Sequence, residues 1–526
     1  MARSLLRSGS ALSLLTLVSR ILGLCREAVK AALLGTTAFS DAFSVAFLIP
    51  NLFRRLFAEG SIAVAFIPTF KTYLINNNAE KTKEFLCCFF TFISFFVSLV
   101  VGIGILCSPY IVKIFALAEF DETVLLTRIM FPFLAFISIA AFFQGILNSV
   151  HVFFPSGLAP IILNIVTIGC AWFLSPYMEN PARAMAIGIL IGGFLEAAIQ
   201  LPFVLKKRFY FKFTNLIKAI KNPGTKDVLR LIGPTIIGMA AYQLNDLVST
   251  ALASGAGEGV VSSLQYSLRL QELILGVFAV SIGTVLLPEL AEHAKTLNWK
   301  MYNSRLISAI DIISLITIPV TFFSLVCGEG IVRLLFQTKM FDENSVMLTN
   351  SAFMFHITGI FFIALNRILA PAFYAQGDSV SPTIAGIISF AVNIVLAAIL
   401  VVPMKGAGIA LALSLAGAAN TLMLFILLRR KSKGSDDKIL LNKSFFYLIK
   451  MIVFSIIAAS PVYLCKNFVL NFFTKLSPNS RLVNAAVPLF VFFIMFAVLG
   501  IVLLIVSGDQ NIKTLRTVFT KRKRKN

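Results

Sequence analysis

Charged side chains lie inside long apolar stretches of this sequence, where burying a charge is costly. The cations in these stretches outnumber the acids, and the charged residues are Arg20, Arg26, Lys30, Arg54, Arg55, Arg269 and Arg367 with Glu27, Asp41, Glu59, Asp246 and Glu272. Even on a lenient scale, a charged group at the centre of a bilayer costs about 2.5 to 3.5 kcal/mol. We therefore expect these side chains to line a wet cavity or to pair with one another.

The surplus of cations predicts an anionic ligand. Guanidinium groups form two parallel hydrogen bonds with phosphate oxygens, which makes a phosphate or diphosphate the best match. The alternative is a purely structural network of ion pairs. Its members would include Arg55 with Glu59 and Arg269 with Glu272, whose spacings place each pair on one helix face.

The backbone around Arg54 and Arg55 is predicted to be irregular. Pro50 and Asn51 precede the two arginines and Gly60 follows them. Irregular backbone at membrane depth is tolerated where it lines a cavity or is buried in protein, and not where it faces lipid. The break therefore favours a cavity beside the arginines.

The sequence contains no recognisable catalytic motif. It has no Walker A loop, G-x-S-x-G elbow or HExxH motif, and His151, His293 and His356 lack metal-ligand spacing. We expect a protein that is not an enzyme and needs no cofactor or metal. Movement of its ligand would then be coupled to the membrane potential, to a cation gradient or to the ligand's own gradient. Asp246 is the candidate ion or proton site, with a hydrogen bond between helices as the alternative.

The apolar stretches predict an all-α polytopic membrane protein with about fourteen transmembrane helices. The chain has 526 residues, of which 58% are hydrophobic and 13% charged, and its mean hydropathy is +0.89. Stretches of about 20 apolar residues can cross a hydrocarbon core of roughly 30 Å. The predicted helices are 10–34, 41–70, 85–108, 124–148, 156–178, 183–205, 228–253, 262–289, 304–327, 349–373, 382–402, 406–428, 444–465 and 484–507.

Two six-helix lobes plus two appended C-terminal helices are the predicted arrangement. Ile146-Leu147 precedes Pro160 at the same distance at which Ile368-Leu369 precedes Pro382, as in a repeat about an axis along the membrane normal. The predicted domains are an N-terminal lobe at 1–205, a basic amphipathic linker at 206–227, a C-terminal lobe at 228–430, the last two helices at 431–507, and a basic cytoplasmic tail at 508–526.

Basic residues predict the orientation in the membrane. The formal net charge is +22, and Lys and Arg concentrate in the loops that share the side of the N-terminus and in the segment 513–525. Positive loops stay on the cytoplasmic side, so both termini are predicted to be cytoplasmic. The basic tail is interpreted as contacting anionic lipid headgroups, and nucleic acid is not an expected partner.

Several segments resemble the MurJ (MviN) family of lipid II flippases. They are SRILGLCRE at 19–27, DAF at 41–43, PNLFRRLFAEG at 50–60, RLQE at 269–272, GV at 276–277, GT and LP within 283–288, and LAPAFY at 369–374. The resemblance implies export of lipid II, the undecaprenyl-pyrophosphate-linked peptidoglycan precursor, from the inner to the outer leaflet of the cytoplasmic membrane by alternating access. It implies lipid II and membrane lipids as partners, with the cell-wall synthesis machinery as a further expected partner, and a groove for the lipid tail formed by the last two helices at 431–507.

The resemblance also implies roles for individual residues. The residues expected at the pyrophosphate are Arg20, Arg26, Arg54 and Arg269, with supporting substrate-binding positions at Ser19, Asp41, Asn51, Ser262 and Glu272 and supporting charge at Arg55, Glu59 and Arg367. The chain departs from the family at position 27, a Glu where Asp is frequent, and at position 48, a Leu where some members have Lys.

Three other functions compete with this interpretation. An exporter of another polyprenyl-pyrophosphate-linked oligosaccharide would share the fold and an anion site. A multidrug cation exporter would need a net acidic cavity, which the arginine surplus argues against. A membrane enzyme acting on the lipid carrier would need an acid/base or metal cluster, and Glu119, Asp121 and Glu122 form only a poor one.

Overall fold

The computed structural model describes residues 2–59, 61–76, 78–431, 437–476 and 482–509. The helices up to residue 254 are α1 Ala2–Leu34, α2 Ala38–Phe53, α3 Ser61–Ile75, α4 Ala79–Val112, α5 Phe120–Met130, α6 Phe133–Ser149, α7 Phe154–Leu174, α8 Pro181–Lys206, α9 Leu216–Lys221 and α10 Pro223–Ser254. The later helices are α11 Val260–Lys295, α12 Trp299–Phe336, α13 Glu343–Thr358, α14 Ile360–Ala375, α15 Val380–Lys431, α16 Asp437–Leu476 and α17 Val487–Val506. Short π-helical or 3-10 segments occupy Arg54–Glu59, Ser175–Tyr177 and Leu482–Ala486.

The all-α class is confirmed, and in the described ranges each predicted transmembrane segment falls mostly on helix. Polar caps begin several helices, because an Asn or Asp side chain accepts a hydrogen bond from a backbone N–H of the first turn. The capping residues are Asn78, Asn180, Asn215, Asn222, Asn298 and Asp342. Hydrogen bonds from the Ser345 backbone and side chain hold the pKa of Asp342 below its usual range.

Three predicted helices are interrupted in the structure. The segment 41–70 is divided into α2, the π-helical segment Arg54–Glu59 and α3. The segment 124–148 is divided between α5 and α6, and 349–373 between α13 and α14, which meet at a bend of 42°. The predicted break between 402 and 406 is confirmed inside α15, where Lys405 has non-helical backbone angles with φ at 50°.

Length and hydropathy identify fewer candidate membrane spans in the described helices than the sequence predicts. Eight helices in the described ranges are long and apolar enough to cross a membrane, or nine if α13 and α14 form one bent span. The eight do not include α1, α10 or α11, which carry many of the charged residues, and they count α15 once although it contains two predicted helices. The count of fourteen stays a prediction.

The chain forms two compact units. The first holds the described residues up to Tyr266 together with Thr338–Phe341, and the second holds Ser267–Gln337 and the described residues from Asp342 onward. The predicted domain boundaries at 205, 227 and 430 stay a prediction.

Aromatic rings and a glycine lie where helices of the first unit pack together. Phe66 on α3 packs against Phe85 and Phe89 on α4 and Phe142 on α6, with ring centroids 5.0 Å apart for Phe66 and Phe89. Gly188 on α8 lies against α7, because a Cβ there would come within 2.9 Å of the Thr167 Cα. Small residues let helix backbones approach closely inside a membrane.

The basic segment between α8 and α10 packs on α4 and α6. The Phe211 ring lies 4.7 Å from Phe90 on α4 and 5.4 Å from Phe143 on α6. On α9, Lys218 Nζ lies 2.7 Å from Glu84 Oε1, and this hydrogen bond raises the pKa of Lys218. The aromatic residues of this basic segment therefore pack on helices of the first unit.

The second unit has two packing centres. Cys327 on α12 packs with Ala458 and Val462 on α16 and with Phe492 and Phe496 on α17. The other centre holds α13, α14 and α15 together. There the Ser414 hydroxyl donates to the Phe355 carbonyl at 2.6 Å, and the Thr421 hydroxyl donates to Asn366 Oδ1 at 2.9 Å.

Candidate anion-binding site

The first unit carries most of the predicted site residues on α1, α2 and the π-helical segment. Arg26 on α1 is buried, pairs with Glu27 at 2.9 Å and lies 5.6 Å from the centre of the Phe47 ring. Six residues earlier, Arg20 is half-buried on the same helix. The carbonyl of Ser19 accepts a hydrogen bond from the Asn164 amide of α7 at 3.3 Å, which holds this part of α1 against α7.

The predicted irregular backbone is confirmed, and it holds two arginines. Pro50 and Asn51 remain in the last turn of α2, and the irregular segment follows as a π-helix over Arg54–Glu59. The Arg54 Nε donates to Asn51 Oδ1 at 2.8 Å, so two predicted site residues are in direct contact. Single-turn π segments are frequent at functional sites.

Arg55 pairs with an acid that is distant in sequence. Its Nη1 lies 3.6 Å from Asp246 Oδ2 and 3.5 Å from Gln243 Oε1, both on α10. About 30% of each charged side chain remains exposed. Asp246 therefore contacts a cation in this structure, and its role as an ion or proton site stays a prediction. The side chain of Glu59, the partner expected for Arg55 from spacing, lies outside the described residues.

Asp41 and Ser262 also come together, through the backbone of Ser262. The two carboxylate oxygens of Asp41 accept hydrogen bonds from the N–H groups of Gly259 and Ser262, each at 2.7 Å. In return, Glu258 Oε1 accepts from the N–H of Ala38 at 2.9 Å. Asp41 thus pairs with N–H groups at the start of α11, and Glu258, which lies just before α11, pairs with the first N–H group of α2.

Gly259 is required for this contact. Its φ is +80°, and a Cβ at this position would lie 2.4 Å from the Thr36 carbonyl oxygen. A residue with a side chain would be strained in that conformation and would clash with backbone. The close approach of the loop before α11 to the start of α2 therefore depends on a glycine.

Lys30 was counted among the cations inside the apolar stretches but not assigned to the substrate site, and it lies in this contact region. It is 2% exposed, its Nζ donates to the Ser44 hydroxyl at 2.5 Å, and it lies 4.7 Å from the centre of the Tyr266 ring. The Tyr266 hydroxyl donates to the Gly35 carbonyl at 2.9 Å. The available signal was a pair of serines, Ser40 and Ser44, one helical turn apart beside Asp41.

The second unit carries the remaining predicted residues. Arg269 and Glu272 on α11 form the expected pair three residues apart, with Nη1 and Oε2 separated by 2.8 Å. Both side chains are substantially exposed, at 33% and 47%. Arg367 is exposed on α14. In the parts of the chain that the structure describes, no group of three or more His, Cys, Asp or Glu is arranged to hold a metal ion.

The fold is that of a known class of membrane transporter. Among solved structures, the chain is similar to a lipid II flippase MurJ in an inward closed conformation, with a TM-score of 0.78, 24% identity and coverage of 95% of this chain and 99% of that one. It is also similar to an inward-facing multidrug resistance MATE family transporter of the MOP superfamily, with a TM-score of 0.63, 14% identity and coverage of 80% and 98%. These likenesses show that the chain shares the fold of these two proteins.

Sequence comparison identifies the family. The family model described as lipid II flippase MurJ matches residues 30–483. The probable lipid II flippase MurJ of Treponema pallidum is 46% identical over 523 residues, covering 98% of both chains. The lipid II flippase MurJ of Burkholderia cenocepacia is 32% identical over 79% of this chain and 82% of its own. The chain belongs to the MurJ family of lipid II flippases, a transporter family and not a catalytic one, and it is a multi-span protein of the inner membrane.

Proposed function

We propose that this chain moves lipid II from the inner to the outer leaflet of the cytoplasmic membrane. Its membership of the MurJ family supports the substrate and the direction of transport. The structural observation that carries the proposal is the set of guanidinium groups on α1 and on the π-helical segment. Arginines suit a pyrophosphate because each guanidinium can give two hydrogen bonds to phosphate oxygens.

The arginines would share the work of binding the headgroup. Arg54 is held by Asn51 and Arg26 is buried beside Glu27, so both are oriented before the ligand arrives. Orienting a binding group in advance reduces the entropy lost on binding. Arg20 and Arg269 would complete the contacts with the pyrophosphate, while Arg55 and Arg367 would add positive potential.

Movement would follow from the same charges. In the inward-open form the arginines attract the pyrophosphate, and its negative charge then offsets their mutual repulsion, which allows the cytoplasmic side to close. A return step that carries surplus positive charge is driven by a potential that is negative inside, at about 2.3 kcal/mol per charge per 100 mV moved across the full field. No cofactor is required by this scheme, and coupling is to the potential or to a cation.

The polyprenyl tail would remain in contact with lipid throughout transport. The helices α16 and α17 offer it a surface, because α17 exposes large apolar side chains such as Phe490, Phe493 and Ile501. Both termini would lie in the cytoplasm, with the basic tail on anionic lipid headgroups. The cell-wall synthesis machinery that consumes lipid II would act on the opposite side of the membrane.

Rescue of cells depleted of their own lipid II flippase tests the proposal. We expect the intact chain to restore growth, and Arg20→Ala, Arg54→Ala and Arg269→Ala to fail at matched membrane levels. The control is Arg305→Ala, because Arg305 is half-exposed on α12, lies 3.6 Å from Glu289 and belongs to no predicted site. A well-expressed intact chain that gives no rescue would indicate another polyprenyl-linked cargo. Arginine variants that rescue as well as the intact chain would show that the arginines are structural.

A further inference from the structure

Two polar side chains on one face of α11 bond this helix to the end of α13, within the second unit. Ser267 and Gln271 lie four residues apart, so they share a face of α11, and they are 0% and 2% exposed. Both contact His356, in the last turn of α13. The Ser267 hydroxyl lies 2.6 Å from His356 Nδ1, and Gln271 Nε2 donates a hydrogen bond to the His356 carbonyl. We call Ser267, Gln271 and His356 the α11 anchor.

The anchor joins α11 to a bend that other helices also hold. α13 and α14 meet at an angle of 42°, and the last carbonyls of a helix have no partner within that helix. Next to His356, the Phe355 carbonyl accepts from the Ser414 hydroxyl of α15 at 2.6 Å, and the Ile357 carbonyl accepts from the Thr321 hydroxyl of α12 at 3.4 Å. Side chains of neighbouring helices satisfy broken backbone in this way inside membranes. α11 is therefore bonded to a point that α12 and α15 fix as well.

The other face of α11 carries the charged residues of the proposed site. An α-helix turns by about 100° per residue, so Arg269, two positions from both Ser267 and Gln271, points away from the anchor. Glu272 pairs with Arg269 at 2.8 Å, and the two side chains are 33% and 47% exposed. One face of α11 is thus buried and bonded, and the other presents a guanidinium group.

The anchor resists rotation of α11 about its own axis. Gln271 bonds to a main-chain carbonyl, whose position is set by the end of α13 and not by a side-chain rotamer. Rotating α11 would separate the buried Gln271 amide and Ser267 hydroxyl from their partners, and burying such groups without hydrogen bonds is costly. Satisfied buried polar contacts favour a single arrangement of the elements that they join. The direction in which Arg269 points is therefore tied to the anchor.

We propose that Gln271, together with Ser267, is a positioning residue that sets the rotation of α11 so that Arg269 meets the pyrophosphate of lipid II. This inference rests on the proposed function, which supplies the ligand of Arg269. Gln271 acts through Arg269 and not by touching the ligand. A guanidinium binds phosphate oxygens with a defined geometry, and a binding group tolerates a misalignment of only roughly 10 to 20°.

A double-mutant cycle on lipid II binding to the purified full-length chain in detergent tests the proposal. Gln271→Met keeps the size of the side chain and removes the amide, so it should weaken lipid II binding roughly threefold to tenfold, as the loss of one hydrogen bond would. In the Arg269→Ala background the same substitution should change the affinity by less than about twofold, because a residue that acts through Arg269 has no separate effect once Arg269 is absent.

Gln376→Met is the matched control. It removes another amide of the second unit, half-buried at the end of α14, that donates to the Tyr302 hydroxyl at 2.9 Å. This amide belongs to no predicted site, so we expect the affinity for lipid II to stay that of the wild-type chain.

Hydrogen–deuterium exchange in the same variants measures the anchor without lipid II. Amide exchange reports local opening of a helix. We expect faster exchange over residues 267–276 in Gln271→Met and in Ser267→Ala than in the wild-type chain, and no such change in Gln376→Met.

Two results would overturn the positioning role. One is a loss of lipid II affinity in Gln271→Met that is absent, or that is equally large with and without Arg269. The other is unchanged amide exchange over residues 267–276, which would show that the anchor does not hold α11. A wild-type chain that fails to bind lipid II, with exchange that responds as expected, would contradict the proposed function and the positioning role that rests on it, while the anchor itself would stand.

Discussion

At the scale of single residues, Asp41 and Arg54 are held in the first unit in different ways. Both oxygens of Asp41 are engaged by backbone N–H groups, at 2.7 Å each. Arg54 is bonded through Nε to Asn51 and remains partly exposed. We infer that Asp41 positions the start of α11, while Arg54 is placed to contact the substrate.

The contact of Asp41 with backbone predicts different effects for two substitutions. Asp41→Asn replaces one acceptor oxygen by an NH₂ group, which leaves a buried N–H without its partner. We expect it to lower the free energy of unfolding by about 1 to 3 kcal/mol. Ser262→Ala is the comparison variant, because it keeps the backbone N–H that Asp41 accepts from and removes only the side-chain hydroxyl, which lies 3.2 Å from the Gly259 carbonyl oxygen and also contacts Asp41. It should cost about 1 kcal/mol or less.

Thermal unfolding of the purified variants in detergent measures this difference. A lower melting temperature for Asp41→Asn than for Ser262→Ala is the expected order. Equal melting temperatures for the two variants, or a melting temperature for Asp41→Asn equal to that of the wild-type chain, would show that the carboxylate does not stabilise the start of α11.

At the scale of elements, the sequence was informative about helices and about local breaks. Apolar runs identified the long helices but not the short α9 at Leu216–Lys221, and Pro50 with Asn51 indicated irregular backbone near Arg54, which occurs a few residues later. The pair of Arg269 and Glu272 was also predictable, because its spacing alone brings the side chains together. Long-range partners were not predictable. Asp246 lies 191 positions after Arg55, and nothing local to either residue encodes their contact.

Close packing of α7 and α8 leads to a prediction at this scale. Gly188→Ala on α8 would place a Cβ 2.9 Å from the Thr167 Cα, so the two helix backbones would have to separate. Overpacking of this kind typically lowers the free energy of unfolding by about 1 to 3 kcal/mol.

Gly169→Ala on α7 is the matched control. A Cβ at Gly169 meets nothing within 4 Å, and alanine favours helix over glycine by about 1 kcal/mol. We expect Gly188→Ala to lower the melting temperature and Gly169→Ala to leave it unchanged or raise it. Equal effects of the two substitutions would argue against close packing at Gly188.

At the scale of the whole molecule, family membership and charge distribution lead to the same proposal. The sequence predicted an all-α membrane protein with an excess of cations inside its apolar segments, and the described helices confirm the class. Hydropathy alone does not identify every helix that the sequence predicts to span the membrane. The charges that suit α1, α10 and α11 to a wet cavity are the same charges that make these helices less apolar than a lipid-facing span.

Translocation of lipid II in proteoliposomes that contain only the purified chain tests the central claim most directly. We predict translocation by the wild-type chain that slows when an imposed potential is collapsed, and little translocation by Arg54→Ala at an equal protein content. Wild-type vesicles that translocate lipid II no faster than protein-free vesicles, under either condition, would contradict the account.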